Sequence, residues 1–259
     1  MIVACSNNIK EIHYNGYTIT NVYACGGQLV YGEEPIEEFY IKVRYSGGTV
    51  LTKECLVGSG YTAVSRSDIV FNDSISYEKI WIHDCSEGGI VPTAIGNSAF
   101  SNINTIKEVN LCNTITSISS CAFQYTPSLE TINLDYITSI GAHAFNHCSG
   151  LTEVYLPSIQ TIGRNAFEDC PSLTSVTIGT DCQYIVARAF YNCTSLQSIT
   201  VLKTTPPSLR PYEDASTPLQ KQWFNNTNNC PIYVLAESVN QYKTATYWSD
   251  YANRIQAIP

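Results

Sequence analysis

Charge is scarce in this chain. Only 14% of its 259 residues are Asp, Glu, Lys or Arg, and the 14 cationic side chains are outnumbered by 22 acidic ones. The Lys and Arg are scattered rather than gathered into a stripe. A phosphate backbone or an anionic membrane needs clustered cations, so neither nucleic acid nor a membrane is an expected partner. No run approaches the ~18 consecutive apolar residues of a membrane span. The opening MIVACSNNIKEIHYNGY lacks the charged start and apolar stretch of a signal peptide, which predicts a product made without export. None of the 11 Cys forms a C-x-x-C pair, and in a non-exported chain the thiols are expected to stay reduced as small buried hydrophobes. G-x-S-x-G, P-loop and dinucleotide fingerprints are also absent. The expectation is therefore a protein that is not an enzyme, with no catalytic residue and no cofactor.

Eighteen Tyr against eight Phe, together with many Thr, Ser, Ile and Val, favour β structure. The ordering signal is a repeat. The pattern I-x-x-x-A-F occurs five times, ending at Phe100, Phe123, Phe145, Phe167 and Phe190, with spacings of 23, 22, 22 and 23. Six residues after each Phe stands Ile106, Leu129, Leu151, Leu173 or Leu196. Three further on comes Val109, Ile132, Val154, Val176 or Ile199, and two beyond that Leu111, Leu134, Leu156, Ile178 or Val201. Val154 and Leu156 alternate with Glu153 and Tyr155, the period of a short strand. The Ala-Phe stretch reads as a short helical turn with its Phe inward. One such coil cannot bury its apolar face alone, whereas stacked coils share a continuous core.

These residues resemble the BspA-like leucine-rich repeats, whose coils carry I-G-x-x-A-F and a C-x-x-L segment. Cys148, Cys170 and Cys193 match the Cys position, while Ile103 and Thr126 depart from it in the first two coils. The resemblance implies a repeat solenoid, mainly β with short helical turns, over about 110 residues. Its function is left open, because the family appears in surface adhesins, host-binding proteins and phage proteins.

The expected organisation is a small β meander over 1–34, a β-hairpin cap and irregular first repeat over 35–93, five repeats over 94–203, and a C-terminal cap over 204–259. In the first segment, strands flank Asn15-Gly16. Its pattern I-x-x-I-x-Y-x-G-x-x-I-x-x-V-Y resembles a short N-terminal module of tail and other virion proteins of phages of Bacteroides-type gut bacteria. In the second, the runs from Glu38 to Tyr45 and Thr49 to Val57 read as a hairpin, and Ile80-Trp81-Ile82 as the strand of a preceding coil. Pro206-Pro207 reads as a break in the coil geometry. The ending from Cys230 is similar to the C-terminal cap of BspA-like proteins, with Trp248 and Tyr251 expected to cover the last coil.

The metal candidate with the best spacing is His143 and His147, i and i+4, beside Cys148. No Glu completes H-E-x-x-H, and the repeat register explains both His as variable positions flanking Phe145; no metal site is expected. The Cys148, Cys170 and Cys193 ladder reads as a core column. Glu153, Glu168 and Asp169 fall at variable positions expected on the surface, and the sequons at Asn72, Asn192 and Asn225 carry no meaning in a non-exported chain. The expected binding face is the outward column of the strands: Glu108 and Asn110, Thr131 and Asn133, Glu153 and Tyr155, Ser175 and Thr177, Ser198 and Thr200. A second column holds Ser117, Ser139, Thr161 and Tyr184. Small hydroxyls, amides and Tyr suit a polar ligand, a glycan or a protein.

The leading functional expectation is a phage virion structural protein, tail or other appendage, assembled in the host cytoplasm. It would bind other virion proteins through the N-terminal module, turn its repeats to a host-surface glycan or protein, and be compatible with homo-oligomers. The alternative is a bacterial cell-surface adhesin or host-interaction protein of the same repeat class.

Overall fold

A computed structural model describes residues 93–211 and 221–259 throughout; elsewhere it describes the strands Ile2–Val3, Glu11–Tyr14, Tyr17–Thr20, Leu29–Val30, Tyr40–Arg44, Ala63–Val64 and Lys79–His83. The chain winds into a parallel β-solenoid of about seven coils. Each coil contributes one strand to a front sheet and one to a back sheet. The back sheet has seven strands in strict chain order, from Ala63–Val64 through Ala94–Ile95, Ser117–Ile118, Ser139–Ile140, Thr161–Ile162 and Tyr184–Val186 to Ser208–Arg210. Register is kept residue for residue, Ile118 pairing Ile140 and Ile140 pairing Ile162.

The front sheet comes in two sections. Tyr40–Arg44, Lys79–His83, Glu108–Leu111 and Thr131–Ile132 form one, and Glu153–Leu156, Ser175–Ile178, Ser198–Val201, Ile232–Val234 and Ile255–Ala257 the other. At their boundary the Asn133 side chain takes both backbone groups of Leu111, accepting from its N–H at 2.5 Å and donating to its carbonyl at 2.9 Å. A side-chain amide thus replaces the strand ladder, and the strand ends after two residues.

The third side of each coil is the turn carrying Ala-Phe, and it is not the short helical turn expected, because left-handed residues interrupt it. Two residues per coil lie in the left-handed region there. The positions two before the Phe (Ser98, Cys121, His143, Asn165, Arg188) have φ of 54–61°, and the positions two after it (Asn102, Tyr125, His147, Asp169, Asn192) 55–61°. Every second N–H of the turn faces the next coil, so Phe100, Phe123 and Phe145 each donate to the following coil's Ala122, Ala144 or Ala166 carbonyl at 2.7 Å. Close approach demands glycine at Gly163, where a Cβ would lie 2.5 Å from the Gly141 carbonyl carbon, whereas Ser119 and Val186 stand at the same position in two other coils.

One continuous core fills the solenoid. Phe100, Phe123, Phe145, Phe167 and Phe190 stack with centroids 5.0–5.3 Å apart, and Phe224 extends the stack at 5.9 Å from Phe190. The expected break at Pro206-Pro207 does not occur. Ser208–Arg210 pairs with Tyr184–Val186, and Trp223-Phe224 rebuilds the Phe corner. The sequence disguised this coil because Trp replaces Ala before the Phe and a polar insertion separates strand from corner.

Aromatic side chains cover the last Phe of the stack. Trp248 and Tyr251 pack on Phe224, and Trp248 Nε1 donates to the Pro207 carbonyl at 2.7 Å. Buried Arg254 adds a polar clamp, donating to the carbonyls of Cys230 and Phe224 and to Thr227 Oγ1 at 2.8–2.9 Å. A helix over Val239–Thr244 follows a 3-10 turn over Ala236–Ser238.

Upstream, the expected zeroth strand is present, with Ile80 and Ile82 pairing Val109 and Leu111. The hairpin expectation needs correction: Tyr40–Arg44 runs parallel to Lys79–His83, because its alternation continues the front sheet. Its expected partner run, Thr49 to Val57, lies outside the described residues. The strands flanking Asn15-Gly16 pair antiparallel.

Candidate functional site

Three outward surfaces compete for a binding role: the front sheet, the back-sheet column and the turn edge. The front-sheet residues expected to bind do form columns. Glu153 pairs Ser175 and then Ser198, while Tyr155, Thr177 and Thr200 make the second file. The break in the sheet separates these from Glu108, Asn110, Thr131 and Asn133. Much of that first section is turned inward on itself, since Asn110 donates to Glu108 at 2.7 Å and Asn133 is spent on Leu111. Ser175, Thr177, Ser198 and Thr200 are half-buried, whereas Tyr155 stands 54% exposed. In the back column Tyr184 is covered by the Arg210 guanidinium, 3.7 Å above its ring.

Two columns beside the Phe stack are built from the same turn and treated differently. Three residues after the Phe, Thr126, Cys148, Cys170 and Cys193 are fully buried. Each donates to the Phe carbonyl of the preceding coil, at 3.0 Å for the hydroxyl and 3.1–3.2 Å for the thiols. Burial raises all three thiols, Cys148 to about 12, so they are neutral donors and poor nucleophiles or metal ligands. The Cys ladder is thus a core column, as its register implied, and Thr126 replaces Cys without losing the bond.

Two residues after the Phe, the chain faces outward. Asn102, Tyr125, His147, Asp169 and Asn192 line up along the edge, one per coil. Together with Asn104, Pro127, Ser149 and Pro171 they bound a shallow groove of about 540 Å³. The Tyr125 and His147 rings stack at 4.7 Å and 12°. His147 Nε2 lies 3.4 Å from Asp169 Oδ2, and Asn192 donates to Asp169 Oδ1 at 2.5 Å. Sequence reading placed His147 and Asp169 at variable positions and Asn192 in a sequon, and missed Asn102 and Tyr125, whose left-handed torsions appear only in the folded turn.

The same geometry explains why His143 and His147 do not cooperate. They sit at the two left-handed corners on either side of Phe145, not on one helical face. His143 lies against Arg164, Nε2 to Nη2 3.2 Å, while His147 stacks on Tyr125. Burial, and then the Arg164 charge, hold the His143 imidazole below its usual value. Glu168 corrects another expectation, because it is buried rather than on the surface. It pairs with Arg188, accepts from Asn165, and has its backbone carbonyl bonded by Asn146 at 3.1 Å. Removal of Arg188 alone would leave the Glu168 carboxylate buried and without its charge partner.

The sequence matches the family described as "BspA type Leucine rich repeat region" in six copies, over residues 67–197 and 133–252. No match was found among curated protein sequences. Among solved structures the chain is similar to a leucine-rich repeat protein of T. pallidum, at 20% identity over 70% of this chain and 86% of that one (TM-score 0.46). It is similar to a leucine rich cell surface protein from Faecalibacterium prausnitzii A2-165, at 18% identity over 87% and 49% (TM-score 0.45). It is also similar to the pneumococcal vaccine antigen PcpA, at 18% identity over 76% and 42% (TM-score 0.51). The chain spans less than half the length of the last two. At such identities the likeness to PcpA is one of fold. The family match covers well over half of the sequence, and the chain belongs to the BspA-type leucine-rich-repeat family.

Proposed function

We propose that this BspA-type leucine-rich-repeat protein is a non-enzymatic adhesion or host-interaction protein displayed on a bacterial cell surface. The observation that carries the reading is where the repeat stops repeating. Phe and Ala positions recur coil after coil and are buried, whereas the outward files vary, Glu108, Thr131, Glu153, Ser175 and Ser198 in one and Asn102, Tyr125, His147, Asp169 and Asn192 in another. A stack of that kind offers an extended surface and commits none of its interior polar groups to chemistry. Membership of the family and a fold like that of a protein named as a vaccine antigen fit the same reading.

The phage virion role rests on the N-terminal pattern, within which only short strands are described, and no comparison adds to it. The two readings separate experimentally. Surface proteolysis of intact producing cells, followed by mass spectrometry, is expected to release peptides of this chain. Its recovery instead as a stoichiometric component of purified phage particles would restore the virion reading and remove the surface one.

A further inference from the structure

We infer that the turn-edge groove between Asn102 and Asn192 is a binding site for a neutral oligosaccharide of about four sugar residues. The inference rests on the binding reading above, but it moves the ligand off the front sheet and names its class.

Tyr125 is the first reason. Its φ is 55°, a conformation that Asn, Asp and Gly adopt readily and an aromatic residue does not. In the same column Asn102, Asp169 and Asn192 suit the corner and His147 shares it, while elsewhere among the described residues Tyr247 is the other left-handed Tyr. Strain held at an exposed position points to a use for the side chain. The ring is 44% exposed, and His147 backs one face of it. Asn102, one coil earlier, turns its amide to Ser101 Oγ at 2.8 Å, and among the described residues no other ring stacks on Tyr125. A sugar ring, with its apolar C–H face, fits such a platform.

The rest of the groove supplies the other half of sugar recognition. Pro127 and Pro171 give it a rigid apolar floor, and Ser149, Asp169 and Asn192 give it donors and acceptors. His147 and Asn192 hold the Asp169 carboxylate from both sides, so its orientation is set before a ligand arrives. Length agrees as well. Coils stacked at strand spacing put one edge residue every ~5 Å, so the four steps from Asn102 to Asn192 span roughly 20 Å. That spacing is close to the length of one pyranose unit, which lets successive sugars meet successive coils. Asp169 within the groove and a net charge of −8 disfavour an acidic sugar.

Calorimetric titration of the full chain with cellotetraose, mannotetraose and tetra-N-acetylchitotetraose, and with tetragalacturonate as the acidic control, tests this. At least one neutral tetrasaccharide is expected to bind, with tetragalacturonate at least tenfold weaker. Tyr125→Asn should weaken that binding by more than tenfold while leaving the denaturation midpoint unchanged or higher, and Tyr125→Phe should keep most of it. The inference is overturned by no binding of any neutral tetrasaccharide at millimolar concentration, by stronger binding of tetragalacturonate, or by full affinity in Tyr125→Asn. Attachment of the purified chain to cells, assayed in parallel with Tyr155→Ala, keeps the two readings apart. Attachment lost in Tyr155→Ala without any tetrasaccharide binding sinks the groove and leaves the adhesion reading standing. Tetrasaccharide binding through Tyr125 without attachment to any cell does the reverse.

Discussion

Neighbouring positions in one turn have opposite fates. Three residues after the Phe, the side chains of Thr126, Cys148, Cys170 and Cys193 are buried and form the same hydrogen bond, whether from a hydroxyl or a thiol. The residue two after each Phe has the same backbone conformation in every coil but is Asn, Tyr, His, Asp and Asn in turn. The first column is constrained by what lies inside: a narrow slot and a carbonyl that needs a donor. The second is constrained by backbone torsion, which favours Asn, and by contacts along the edge such as the Tyr125–His147 stack and the Asn192–Asp169 bond. Where the sequence abandons the residue its backbone prefers, the fold does not supply the reason.

Disturbing the inner column should cost the most. Phe145→Ala removes a fully buried ring stacked on both sides, at 5.2 Å and 5.0 Å. A loss of about 3–5 kcal/mol in equilibrium denaturation is expected. Arg254→Met is next, because it strips donors from two buried carbonyls and a hydroxyl. Orphaned acceptors of that kind predict a loss of about 2–3 kcal/mol. Cys170→Ala should cost about 1–2 kcal/mol, whereas Cys170→Thr, copying Thr126, should stay within about 1 kcal/mol. Equal losses for the two would mean that the carbonyl bond contributes nothing and that only volume matters.

The outer column predicts the opposite sign. Tyr125→Asn relieves a left-handed aromatic and should be neutral or stabilising by up to about 1 kcal/mol. The smallest expected effect comes from His143. Its folded-state imidazole is held below the ordinary 6.5, first by burial and then by Arg164. The unfolded chain therefore takes up the proton first as pH falls, so the stabilising contribution is complete above pH 6.5 and is lost as pH drops toward the folded value. Denaturation midpoints at pH 7.5 and 5.5 should differ less in His143→Asn than in the parent protein; an unchanged difference would place the pH sensitivity elsewhere.

The inner column was legible because its period is a physical requirement. Five Phe at 22–23-residue spacing announce a solenoid, and Trp248 and Tyr251 announced its closed end. The coil around Phe224 was hidden, since its insertion breaks the spacing and Trp223 replaces Ala. Tyr40–Arg44 was hidden for a related reason: alternation identifies a strand but not whether its partner is local or one coil away. Burial of Glu168 was unreadable because it depends on Arg188 reaching back one coil. The groove was legible only as variability. Left-handed torsion at Tyr125 is a property of the folded turn, and without it an aromatic among variable residues carries no signal.

The most direct test sets denaturation and tetrasaccharide titration side by side on Tyr125→Asn. A protein that folds by one column and binds by its neighbour should keep or raise its denaturation midpoint while its affinity falls more than tenfold. A fall in midpoint together with unchanged affinity would contradict that division and return Tyr125 to the core.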